Sequence, residues 1–225
     1  MSRFSVTAVK YGETTLPRRM VFADSAGDDT KVPISLVLYL IECNGKKILV
    51  DAGCDAMPGY DVQHHISPAE ALTRCGVPPT DITDVILTHA HHDHIEAVHY
   101  FINANVHMSL PEYEKAIKRG LLPPNLHVSP FEQTRRIGEV CAVVWGGHSA
   151  GSLIVTFAHE GREYVISGDE CYDRACLVER RPTGVSCNPR KSFDFVNTYS
   201  SDKYTVLLSH DGAILPGQNG YVKII

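Results

Sequence analysis

The chain has 225 residues and carries 21 Lys+Arg against 26 Asp+Glu, a formal charge of −5. With 44% hydrophobic and 21% charged residues it has the composition of a globular protein with a sizeable core, in one domain or in two halves sharing a core. This excludes a disordered chain, a collagen-like chain and a basic nucleic-acid binder.

In chain order, residues 3–9 make a first strand, and 33–43 form a long β-branched, apolar run. Asn44-Gly45 separates that run from Lys47–Asp51, a hairpin signal. Residues 68–75 begin with Pro68 after Ser67 and close at Gly76, as a helix does. A buried strand follows at 84–88, then a short helix at 94–103, a strand at 106–109 and a Pro-initiated helix at 111–119. The second half repeats this style, with strands at 139–145, 152–158, 163–167 and 204–208 and a helix at 189–199. No Pro/Gly/Ser linker divides the chain, so residues 1–225 read as one layered α/β domain.

The ends and the cysteines bear on location. The N-terminus lacks a basic and then apolar leader, and no apolar run is long enough to span a bilayer. The seven cysteines form no C-x-x-C pair, and no N-x-[ST] acceptor occurs. Reduced thiols in a cytoplasmic protein, with no membrane or nucleic-acid partner, are the expectation.

Four of the 12 histidines fall at 89, 91, 92 and 94, directly after the strand at 84–88. His89 and His91 alternate with Ala90 in an extended loop and can point the same way, while Asp93 and His94 can turn to a neighbouring point. Imidazole and carboxylate are the usual ligands of zinc and similar divalent ions. A solvated polar loop is the alternative, and so dense a set of ligand types argues against it. Three more strands end the same way: His148 follows Gly146-Gly147, Asp169 follows Ser167-Gly168, and His210 follows Ser209. A lone histidine after a strand is more often structural, but four such endings in chain order point to a metal site.

His89-Ala90-His91-His92-Asp93-His94, with Gly147-His148-Ser149, Gly168-Asp169 and Ser209-His210, resembles the metallo-β-lactamase-fold hydrolases. Asp51-Ala52-Gly53 matches the early D-x-G turn of that family, and the resemblance runs from about Pro33 to His210. It implies a four-layer αβ/βα sandwich with the site along one edge. It also implies two divalent metal ions, zinc first, with manganese, iron or cobalt as alternatives. By the same resemblance His89, His91 and His148 hold one ion, Asp93, His94 and His210 the other, Asp169 bridges them, and Asp51 orients a ligand.

Among members of that family, hydroxyacylglutathione hydrolases carry an extra helical region after the last histidine, and only 15 residues follow His210 here. Nucleic-acid-processing members bring a basic surface, which the charge disfavours. Secreted β-lactamases need an export signal, and diiron flavoproteins replace a motif histidine and add a flavodoxin domain. Tyr172, three residues after Asp169, resembles the D-x-x-Y of the N-acyl homoserine lactonases, whose tyrosine reaches the substrate carbonyl. A packed aromatic near a strand end is the bland alternative. One departure is Ile95-Glu96-Ala97, where those lactonases have small residues or glycine; it bears on the nearby pocket wall.

The resemblance therefore implies a lactonase acting on a small-molecule ring ester through a metal-bridging hydroxide, with Tyr172 steadying the oxyanion and Asp93 shuttling the proton. A phosphodiesterase or thioesterase of the same fold is the alternative. The remaining polar residues take plain readings. His64-His65 is a solvated loop pair, His92 sits at an x position of the motif and points away from the metals, His99, His107, His127 and His159 have no ligand spacing, Cys54 and Cys171 are small buried thiols, and Arg180-Arg181 and Arg190-Lys191 are solvated. Substrate choice falls to loops 54–67 and 173–190.

Overall fold

The computed structural model describes residues 4–225 and opens on a long strand, β1 (Ser5–Pro17). The first strand expected at 3–9 thus runs eight residues further, and residue 3 lies outside the described residues. A bulge between Lys10 and Gly12 breaks the period-two pattern that would have extended it. Lys10 is itself fully buried, its Nζ donating to Glu13 Oε2 at 2.6 Å and to the Leu215 carbonyl at 2.7 Å.

After α1 (Arg18–Val21) come β2 (Lys31–Cys43) and β3 (Lys46–Val50), an antiparallel hairpin turned by Asn44 and Gly45, both at positive φ. Then follow α2 (Pro68–Arg74), capped by the Ser67 side chain, β4 (Asp84–Ile86), and α3 (His92–Ile95), which continues as a 3-10 turn over Glu96–Phe101. Next are β5 (Asn105–Ser109), α4 (Leu110–Lys118), β6 (Val128–Phe131), β7 (Thr134–Ile137) and β8 (Val140–Val144). The chain closes with β9 (Leu153–His159), β10 (Arg162–Ile166), α5 (Arg174–Val178), α6 (Pro189–Tyr199), β11 (Tyr204–Leu207) and β12 (Gly220–Lys223).

Two sheets form, in the orders β12-β1-β2-β3-β4-β5-β6 and β11-β10-β9-β8-β7. Alternation along each strand sends side chains to opposite faces. In β2, Val37, Tyr39 and Ile41 meet Val155, Phe157 and Ile166 of the other sheet, while Leu36, Leu38 and Leu40 face Leu72 of α2 and Ala116 of α4. On the far side Ile154, Val165 and Val206 pack under Cys176 and Leu177 of α5 and Phe195 of α6. The outcome is helix, sheet, sheet, helix: the αβ/βα sandwich expected.

Eight of the nine expected strands and the helices expected at 68–75, 111–119 and 189–199 fall within a residue or two of their expected bounds. Unforeseen are β6, β7, β12, α1 and α5. β6 contains Pro130 and β7 contains Arg135-Arg136, and each lies at the edge of its sheet, where proline and charge are tolerated. No helix of the described residues is long and apolar enough to cross a membrane.

Candidate metal centre

The motif loop leaves β4 at the edge where the two sheets meet, where the Leu153 N–H donates to the Thr88 carbonyl at 2.8 Å. His89 and His91 stay extended; α3 then begins at His92, so its first turn swings Asp93 and His94 to the other side. His148 comes from the loop after β8, Asp169 from the turn after β10 and His210 from the turn after β11.

These side chains form two nests. In one, His91 Nδ1 lies 3.0 Å from His89 Nε2 and 2.9 Å from His148 Nε2, with Asp169 Oδ2 at 3.6 Å from His89 and 3.5 Å from His148. In the other, His94 Nε2 and His210 Nε2 each lie 3.1 Å from Asp169 Oδ1, and Asp93 Oδ2 is 3.6 Å and 3.7 Å from them. Two donors sharing one tetrahedral zinc stand roughly 3.3 Å apart, and the nitrogen pairs here, at 2.9 Å and 3.0 Å, and the nitrogen–oxygen pairs, at 3.1 Å to 3.7 Å, all lie close to that spacing. Asp169 gives one oxygen to each nest.

The chemistry of the donors fits metal. His94 Nε2, His210 Nε2 and Asp169 Oδ1 are buried with no hydrogen bond of acceptable geometry, which buried polar atoms avoid. Outside the nests the opposite ring nitrogens are engaged: His148 Nδ1 at the Val185 carbonyl (2.8 Å), His210 Nδ1 at the Ser35 carbonyl (3.0 Å), His94 Nδ1 at Asp51 Oδ2 (2.8 Å) and His89 Nδ1 at Thr88 Oγ1 (3.0 Å). A carbonyl only accepts, so it fixes the proton on Nδ1 and leaves Nε2 a lone pair. Asp51 also accepts the Thr88 N–H at 2.7 Å, and it holds a left-handed φ of 64° to do so.

Electrostatics points the same way. Burial, foremost, lowers the pKa of His89, His91 and His148, that of His91 to about 4, keeping them neutral as ligands must be. Burial, the largest single effect, opposes charge on His94 and His210 too, but the carboxylates around them, Asp169, Asp51 and Asp93 at His94 and Asp169 and Asp93 at His210, together outweigh it and raise both. Burial alone would raise Asp169; the imidazoles of His94, His210, His89 and His148 instead hold it well below the usual carboxylate range.

Two buried glutamates brace this centre and were not singled out in the sequence. Glu112 accepts the Ala90 N–H (2.8 Å), the Ser149 hydroxyl (2.7 Å) and the Gly151 N–H (3.2 Å), so it ties the motif loop to the His148 loop. Glu170 accepts the N–H groups of Gly147 and His148 at 3.1 Å. The signal for Glu112 was Ser109-x-x-Glu112 at a helix start, a capping box; that for Glu170 was its place beside Asp169.

Tyr172 is buried, stacked on the His210 ring at 5.2 Å between centroids. Burial first, then the carboxylates of Asp169 and Asp93, raise its pKa well above the usual phenol value, so it is a proton donor. It borders a cleft of about 440 Å³ together with His91, Asp93, Asp169 and His210. Met57, Pro58 and Tyr60 line the cleft from loop 54–67 and Val185 from loop 173–190; Leu16, Met20 and Ile34, from the end of β1, α1 and the start of β2, were not anticipated.

Of the other histidines, His92 turns away from the nests to the Ala56 carbonyl (2.7 Å), His65 to the Cys54 carbonyl (3.1 Å) and His107 to Asp84 (2.9 Å). His159 stacks on Phe4, and His64 and His99 lie 3.7 Å and 3.6 Å from Glu13 and Asp55. Cys54 and Cys171 are buried. Arg181 pairs with Asp24 and Glu179, and Lys191 donates to the Trp145 carbonyl.

The sequence agrees with this fold and site: the chain belongs to the metallo-beta-lactamase superfamily, whose family profile matches residues 37–209. It is 28% identical over 115 residues to the N-acyl homoserine lactonase AiiB of Agrobacterium fabrum, a stretch covering 44% of this chain and 40% of that protein. It is 24% identical over 145 residues to a probable metallo-hydrolase of Methanocaldococcus jannaschii, 64% of each. The aligned stretches thus span less than two thirds of either relative. Among solved structures, a quorum-quenching N-acyl homoserine lactone lactonase superposes with a TM-score of 0.80 at 20% identity over 99% of both chains. An N-acyl homoserine lactone hydrolase with N-hexanoyl-L-homoserine at its catalytic metal centre does so at 0.80 and 19% identity over 94% of both. At such identities the superpositions speak for the fold.

Proposed function

We propose that the protein is a dinuclear metal-dependent hydrolase that opens a lactone, with N-acyl homoserine lactones the first substrates to try. The observation that carries this reading is Asp169, one carboxylate with an oxygen in each of two ligand nests. The lactonase relatives and neighbours support the choice of substrate. Bound divalent ions would lower the pKa of water at the site and polarise the ester carbonyl.

The chain's own residues do the rest. Tyr172, held protonated beside Asp169, donates a hydrogen bond to the ester carbonyl oxygen as charge builds there. Asp93, at 15% side-chain exposure, is more open than Asp169 at 4% and stands where it can carry a proton to the leaving alkoxide. Water adds to the carbonyl carbon, the ring C–O bond breaks, and a hydroxy acid leaves. Leu16, Met20, Ile34, Met57 and Val185 give the cleft an apolar wall suited to an acyl chain. A phosphodiester would call for several cations, and Arg119 is the sole Arg or Lys among the described lining residues.

Proton release by metal-loaded enzyme across lactones, phosphodiesters and thioesters tests the reading. Turnover of lactones is expected. Turnover of phosphodiesters or thioesters with lactones untouched contradicts it.

A further inference from the structure

The cleft wall that carries Met57, Pro58 and Tyr60 has no regular structure, and Pro58 and Tyr60 are exposed. Backbone N–H and C=O groups withdrawn from water need protein partners, and a loop without regular structure is held by whichever groups supply them. Just before it, Gly53 is anchored main chain to main chain: its carbonyl accepts the Ala97 N–H at 3.0 Å. Just after it, Met57 and Tyr60 close a turn.

Between them, residues 54–56 make no backbone–backbone hydrogen bond within the described chain, and side chains take their place. Glu96 Oε2 accepts the Asp55 N–H at 2.7 Å. His92 Nε2 donates to the Ala56 carbonyl at 2.7 Å. His65 Nε2 reaches the Cys54 carbonyl at 3.1 Å. The Tyr100 hydroxyl donates to Asp55 Oδ2 at 2.8 Å. Three of the four clamps therefore come from residues 92–100, the segment that continues out of the metal motif. Among the described residues, none of those three side chains hydrogen-bonds or ion-pairs with a side chain of either ligand nest.

We propose that Glu96, assisted by His92 and Tyr100, is a positioning residue that holds loop 54–60 as the fixed wall of the cleft and so sets the size of the group the site accepts beside the reacting ester. Glu96 is the central clamp because its side-chain oxygen takes the Asp55 N–H, at the middle of residues 54–56, directly and at short distance. It also sits in Ile95-Glu96-Ala97, the segment where the sequence departs from the lactonases it resembles; glycine there would leave the Asp55 N–H to water. The consequence for substrate size rests on the lactonase reading, whereas the consequence for loop order does not.

Metal-loaded wild type, Glu96→Ala and Glu96→Gln are compared by hydrogen exchange and by kinetics on a short-chain and a long-chain acyl lactone. The Gln amide oxygen still accepts the Asp55 N–H, so Glu96→Gln is the rescue. In Glu96→Ala, exchange across residues 54–60 is expected to rise about ten-fold, the scale of one lost hydrogen bond, with β2 as protected as before. KM for the long-chain lactone is expected to rise about ten-fold while kcat and metal content hold and the short-chain KM barely moves. Glu96→Gln is expected to behave as wild type in both.

Unchanged exchange in Glu96→Ala overturns the proposal, as does exchange in Glu96→Gln as fast as in Ala. A joint fall of kcat and metal content at constant KM overturns it too, since Glu96 would then act on the metal centre. If no lactone is turned over, the lactonase reading fails alone, and the exchange comparison still decides whether Glu96 holds the wall.

Discussion

Asp169 lies 3–4% exposed among four imidazoles, with its two oxygens in different nests. Removing it takes a ligand from both, so Asp169→Ala is expected to lose metal and hydrolysis together, by elemental analysis and rate on one sample. Full activity in metal-depleted Asp169→Ala would contradict that. Tyr172→Phe should keep its metal and lose roughly ten- to a thousand-fold in kcat, the scale of one oxyanion donor. Glu112 gives a stability prediction with a sign. Burial alone would raise its carboxyl, but bonds from Ala90, Ser149 and Gly151, with Lys115 nearby, hold it below its ordinary 4.5. A depressed carboxyl stabilises the fold above its unfolded pKa and loses that contribution as pH falls through its folded value. Glu112→Gln is therefore expected to cost roughly 1–3 kcal/mol at pH 7. The Tm gap to wild type should close as the pH drops below 4.5; a gap that widens toward acid would be the wrong sign.

At the scale of elements, what the sequence concealed has a common cause. Interior strands such as β2 and β9 are apolar enough to read directly, whereas β6, β7 and β12 are sheet edges that carry Pro130, Arg135-Arg136 and Lys223. The far part of β1 hid behind the bulge at Lys10–Gly12, and the burial of Lys10 depends on Glu13 and Leu215, which no local pattern announces. Loop packing was equally hidden. A Cβ on Gly184 would lie 2.0 Å from the Arg19 carbonyl oxygen and 2.9 Å from the Met20 carbonyl carbon, so the 184–185 segment rests directly on α1. Gly184→Ala is expected to cost about 2–3 kcal/mol in denaturant unfolding. Its displacement should pull the Val185 carbonyl from His148 Nδ1 and weaken metal binding about 10–100-fold, read by competition with a chelator. A variant with wild-type stability would show that the loop does not bear on α1.

Over the whole molecule, the candidate ligands were readable because each stands at a strand's carboxyl end, and a strand end followed by His or Asp is a local pattern. The cleft was only half readable. Met57 and Val185 lie in loops that could be picked out, but Leu16, Met20 and Ile34 reach the cleft because β1 and β2 pair along their full length and α1 folds back over them. The most direct measurement is the rate of lactone opening as zinc is returned to metal-free protein, followed with bound metal in the same titration. The expected result is negligible rate without metal and a plateau at two equivalents per chain, with both equivalents retained on gel filtration. Full hydrolysis by metal-free protein, or a plateau at one equivalent with no second ion bound, would contradict a two-ion centre built on Asp169.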